Sequence, residues 1–203
     1  GNGVKLVCDF TVADGQSVVA GDTVGFVDDK VRKAMSEDCP SWGSKSVFNS
    51  NATARISAAA LSDTRFVVAY RNESQGNRGE LKIGTVDGTS ITWSDPSIFH
   101  GSSTNFISIA ALSDTKFAVA YQNSGGSPQG GYMRIGTYDS GNFAWGTAGV
   151  FADWTSYNSL AVLSDNKLAV IYQDKADGNH GKAVVANVTG NNFTLDDTTS
   201  EFC

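Results

Sequence analysis

Residues 61–70 read LSDTRFVVAY, and the phrase returns at 112–121 as LSDTKFAVAY and at 163–172 as LSDNKLAVIY. The copies lie 51 residues apart. A fixed period of about 50 residues marks an array of like supersecondary units. Inside the phrase, Ser-Asp-Thr or Ser-Asp-Asn is turn chemistry, and the five residues after it (Phe66–Tyr70 in the first copy) are β-branched, small or aromatic. That run is too short for a helix and reads as a strand.

Working outward, each copy is preceded by a small apolar segment: Ile56–Leu61, Ile107–Leu112 and Ser159–Leu163. Each is followed by a Gly/Asn-rich loop and a third strand, at Leu81–Val86, Met133–Tyr138 and Ala183–Val188. A tight turn then leads to a fourth strand that carries Trp93, Trp145 or Leu195 and ends at Phe99, Phe151 or Phe202. Four hairpin-linked strands at this pitch predict an all-β chain, a β-propeller-like array of four-stranded blades. The three repeats span about 49–100, 101–152 and 153–203. Trp42 and Phe48 keep the register of Trp93 and Phe99, so 42–48 reads as an edge strand of an earlier unit.

Residues 1–41 share none of this phrasing. They read as a β module with strands at Val4–Val12, Thr23–Val27 and Lys30–Ala34, either a divergent blade or a strand-donating segment. Three blades do not close a ring, and an unclosed array leaves strand edges that invite another strand. Closure within the chain and closure between chains are the two physical options.

Composition narrows the classes of partner. The formal charge is −6 with scattered basic residues, which argues against nucleic acid. No apolar run approaches the roughly 20 residues that span a bilayer, so no membrane insertion is expected. No secretory signal is visible at the start. The three cysteines, Cys8, Cys39 and Cys203, are an odd count. Cys39 and Cys203 fall in the first and last units, where a disulfide would staple a closed ring; Cys8 is a rival partner for either. Asn51, Asn72, Asn187 and Asn192 head glycosylation sequons.

The phrases ALSDTKFAVAYQN, RIGTYDSGNFAWGTAGVF and VFNSNATARISAAALSD resemble uncharacterised repeat proteins of phages and environmental bacteria. GQSVVAGDTVGFVDDKVRKA resembles the short β module that often precedes such units. The resemblance covers most of the chain and implies a propeller-like protein, extracellular, cell-surface or virion-associated. It implies no activity and supplies no catalytic residue. Leu168 and Ala186 depart from the Phe and Gly of the pattern.

Reactive constellations do not stand out. Asp63, Asp114 and Asp165 recur at the first turn, where an Asx cap is the expected role and a cation or sugar ligand the alternative. The series Tyr70, Tyr121, Tyr172 and Trp42, Trp93, Trp145 fits packing as readily as sugar stacking. Trp154 lies outside it and is the candidate glycan platform. The loop Asp174–Gly181 has oxygen ligands but not the spacing or closing Glu of a calcium loop. No nucleophile motif, phosphate loop or placed carboxylate pair is evident, so no catalytic residue, metal or cofactor is assigned.

The expected function is a non-catalytic extracellular structural protein that self-assembles as a fibre, sheath or virion appendage. Its partner would be a second copy, with Val4, Leu6, Cys8, Phe10 and Val12 donated as a strand to a neighbour's open edge. A glycan-binding adhesin is the alternative, and a glycoside hydrolase a minor one.

Overall fold

The computed structural model describes residues 24–27, 30–33, 45–126, 129–196 and 200–202. The chain divides into two compact units, 1–44 and 45–203. In the first, β1 (Val24–Val27) and β2 (Lys30–Lys33) form an antiparallel hairpin closed at Val27 and Lys30. The segment Val4–Val12, with Val4, Leu6, Cys8, Phe10 and Val12, lies outside the described residues, as do Cys39, Trp42 and Cys203.

The second unit is three antiparallel sheets in series. The first holds β3 (Thr53–Ala60), β4 (Arg65–Asn72), β5 (Arg78–Asp87), β6 (Ser90–Trp93) and β7 (Ser97–His100). In the second are β8 (Thr104–Ala111), β9 (Lys116–Asn123), β10 (Gly131–Asp139), β11 (Asn142–Trp145) and β12 (Gly149–Ala152). The third holds β13 (Thr155–Ser164), β14 (Lys167–Asp174), β15 (His180–Thr189), β16 (Asn192–Leu195) and β17 (Ser200–Phe202). The all-β reading and the four-layer order within each repeat agree with this. The fourth layer is two short strands, however, both pairing with the third strand of their sheet. In the first sheet Ser94 N–H still donates to the Ile83 carbonyl at 2.9 Å, and Ser94 Oγ takes the Ile83 N–H at 3.0 Å in place of a strand carbonyl. Pro96, which has no N–H to offer, follows in the gap before the strand resumes.

The first turn differs from the expected Asx cap. Ser62 Oγ accepts from the N–H groups of Thr64 and Arg65, at 3.3 and 3.1 Å, and Ser113 Oγ does the same for Thr115 and Lys116. The serine caps these turns; Asp63 and Asp114 stand beside it.

Alternation along β9 packs both faces of the middle sheet. Phe117, Val119 and Tyr121 meet Val67, Ala69, Leu81 and Ile83 of the first sheet. Ala118 and Ala120, with Met133 and Ile135, meet Leu168, Val170 and Tyr172 of the third. Burial on both faces is why β9 is an unbroken apolar run where a half-exposed strand would alternate. The first strands lie side by side: Ser57 Oγ accepts Ile109 N–H at 3.2 Å, and Ser108 Oγ accepts Leu160 N–H at 3.0 Å.

Phe48 continues the pattern upstream. Its ring lies 5.1 Å from Tyr70, as Phe99 lies 5.3 Å from Tyr121 and Phe151 5.3 Å from Tyr172. Trp93 donates its indole N–H to Ser46 at 2.8 Å and Trp145 donates to Ser97 at 2.9 Å.

Candidate functional site

Two places in the second unit carry more than packing: a row of matched positions beside the second-strand tyrosines, and the uncovered face of the third sheet. Each tyrosine sits across the ladder from a different residue: Glu80 for Tyr70, Tyr132 for Tyr121, Lys182 for Tyr172. One geometry therefore holds three chemistries.

In the first sheet the buried Glu80 accepts from Tyr70 Oη at 2.9 Å, Asn72 Nδ2 at 3.1 Å and Arg78 Nε at 2.5 Å. Burial pushes its carboxyl up, but the donors from Asn72, Arg78 and Tyr70 outweigh that and hold it below the usual carboxylate range. Tyr70 is pushed well above its ordinary value by burial, then by its bond to Glu80. In the third sheet Lys182 Nζ closes on Asp177 at 2.5 Å and Asp174 at 3.2 Å. Its bond to Asp177 raises the ammonium above its ordinary range. Those carboxylates of the 174–181 loop thus meet an ammonium.

In the second sheet Tyr121 itself borders a cleft of about 690 Å³, lined also by His100, Arg134, Trp145, Asn191 and Asn192. Arg134 is fixed there by Nε–H to the Gly146 carbonyl at 2.8 Å, Nη1 to the Phe99 carbonyl at 3.1 Å, and its guanidinium 5.1 Å over the Trp145 ring. The His100 ring lies 4.9 Å from Tyr121. Burial, helped by Arg134 and opposed by a bond to Asn123, holds His100 below its ordinary value, so it is neutral at pH 7. Burial also pushes Tyr121 up to about 12. Among the described residues no Asp or Glu lines the cleft, so they offer no acid–base carboxylate pair there. It can hold a polar or anionic group against a locked guanidinium.

The third sheet has no described sheet on its leading face. Leu61 and Leu112 are 7% and 4% exposed because the next sheet covers them, whereas their counterpart Leu163 is 58% exposed. By ladder pairing Ser159, Ala161, Ala169, Ile171, Ala183 and Val185 share this leading face. Ala169, Ile171, Ala183 and Val185 are only half-buried, against full burial of Val67, Ala69, Leu81 and Ile83 at the matching places. At the other end, Ala58 and Ala60 on the trailing side of β3 are exposed and Ile56 is 56% exposed.

Of the residues singled out in the sequence, Tyr70, Tyr121 and Tyr172 are buried in the packing layers. Trp154 is 46% exposed, with Lys175 Nζ 5.9 Å from its ring. Asn51 and Asn192 are exposed, and Asn187 donates to Asp196 at 2.7 Å. Asn72 is a correction: only 3% exposed and donating its amide to Glu80, it has no free nitrogen for a glycan in the folded chain.

A feature absent from the sequence reading is a β-bulge in each first strand, at Arg55, Phe106 and Tyr157, with φ of 55°, 48° and 52°. These left-handed residues form a ladder, with Arg55 5.5 Å over the Phe106 ring and Phe106 4.9 Å from Tyr157. The constant spacing of 51 marks the position, but three unlike residues hide it. No helix among the described residues is long and apolar enough to cross a membrane. No protein-family model and no curated protein matches the chain.

Proposed function

We propose that the three sheets are blades of a propeller-like array, and that the chain is a non-catalytic structural protein that self-assembles outside the cell or on a virion. The observation that carries this reading is the uncovered apolar face of the third sheet, whose counterparts on the first two sheets are buried cores. A repeated unit that cannot bury its face alone buries it on the next unit. Donation of Val4–Val12 to a neighbour's edge is the proposed route between protomers. Removal of residues 1–12 should shorten or thin the assemblies seen by negative-stain microscopy. Filaments or rings unchanged by that deletion would refute strand donation.

A second reading, a glycan-binding adhesin, is favoured by the Arg134–Trp145 cleft and by exposed Trp154. Planar guanidinium and indole surfaces suit an acidic sugar. Arg134→Ala should abolish any retention on an array of acidic glycans; an array with no signal for the intact chain dismisses the reading. The lack of a carboxylate pair in that cleft gives a hydrolase no support.

A further inference from the structure

We propose that the leading side of β13 in one copy docks onto the trailing side of β3 in a second copy, remaking the junction that the chain already makes twice within itself. This rests on the self-assembly reading and names its contact. Two internal junctions define the rule. At each, a serine in one first strand accepts the backbone N–H of the residue 52 positions on: Ser57 from Ile109 and Ser108 from Leu160. Beside it, Leu61 or Leu112 is covered by the following sheet.

Half of the same junction is exposed on β13 and half on β3. Ser159 stands at the register of Ser57 and Ser108, exposed, next to exposed Ala161 and Leu163. Ala58 stands at the register of Ile109 and Leu160, exposed between Ile56 and Ala60. Ile109, by contrast, is buried in the layer between the first two sheets. The rule therefore pairs Ser159 Oγ of one copy with the Ala58 N–H of the next, and sets Leu163 over the apolar edge of β3.

The bulge ladder supplies an independent match. It begins with a cation, Arg55, and ends with Tyr157, which is 71% exposed. Within the chain the Arg55 guanidinium already lies 5.5 Å from the centre of an aromatic ring, that of Phe106. Docking by the same rule brings the Arg55 of a second copy over Tyr157, a cation–π contact of the kind made at Phe106. The two surfaces differ, so the contact is head-to-tail and generates a ring or an open filament.

Complementary charge variants test this by sedimentation velocity on the full chain. Ile56→Glu spoils one surface and Leu163→Glu the other; both positions are exposed, and circular dichroism melts check that the fold holds. The intact chain should assemble, and each variant alone should lose most of that assembly, its mass falling toward 21.4 kDa. Their equimolar mixture should give a 1:1 dimer, because each supplies the surface the other lacks. Should Leu163→Glu unfold, Tyr157→Ala replaces it, with a roughly fivefold weaker association expected from a lost cation–π contact of about 1 kcal/mol. An intact chain that stays monomeric overturns the self-assembly reading itself. Full assembly of either Glu variant alone, or no dimer in the mixture, overturns this contact and leaves that reading standing.

Discussion

At the residue scale, the third repeat's two departures compensate each other. A Cβ on Gly84 would stand 2.4 Å from the Phe66 ring and 2.9 Å from Trp93; on Gly136 it would stand 2.6 Å from Phe117 and 2.7 Å from Trp145. In the third sheet the two rings are Leu168 and Leu195, and the glycine is a buried Ala186. The methyl group occupies room that smaller side chains release. Gly136→Ala should therefore destabilise the chain by about 1–3 kcal/mol through overpacking. Ala186→Gly should cost about 0.5–1 kcal/mol in strand entropy and lost packing. Equal denaturation midpoints for Gly136→Ala and the parent would contradict this.

Glu80 makes a pH prediction at the same scale. Its folded value lies below its ordinary one, so its contribution is present above about pH 4.3 and is lost as pH falls through the lowered value. Glu80→Gln should lower the urea midpoint at pH 7 and flatten its decline below pH 4.3. An unchanged acid limb would show that the buried cluster of Tyr70, Asn72 and Arg78 is not what holds the carboxylate.

At the scale of elements, the serine bridges set neighbouring first strands in register. Ser108→Ala leaves the Leu160 N–H without its acceptor and should cost about 1 kcal/mol. Ser159→Ala should change the stability of an isolated protomer by no more than about 0.5 kcal/mol, as exposed substitutions do. Equal losses for the two would mean that Ser159 is already engaged within the protomer.

Strand content was legible because the turn phrase and the apolar strand after it recur together three times. The split in the fourth layer was not. Pro96 marks it in the first repeat, but Gly146-Thr-Ala-Gly149 in the second carries no breaker of the same kind. The bulge was hidden for a related reason, since Arg, Phe and Tyr share no propensity for positive φ. Ser57, Ser108 and Ser159 were visible as small residues, yet their role needs the neighbouring strand, which local sequence does not contain.

At the scale of the whole molecule, the repeat explains both the core and its end. Leu112→Ala removes a side chain covered by the third sheet and should cost about 2–5 kcal/mol, whereas Leu163→Ala should be near neutral in a dilute protomer. The cleft was only partly legible: Tyr121 and Trp145 belong to read series, while Arg134, His100 and Asn191 come from three separate repeats and meet only through sheet stacking.

The open face of the third sheet is the centre of the account, and sedimentation of the intact chain over a wide concentration range tests it most directly. The prediction is mass that rises with concentration above 21.4 kDa and particles that extend or close as rings in negative stain. A single 21.4 kDa species at every concentration would contradict it.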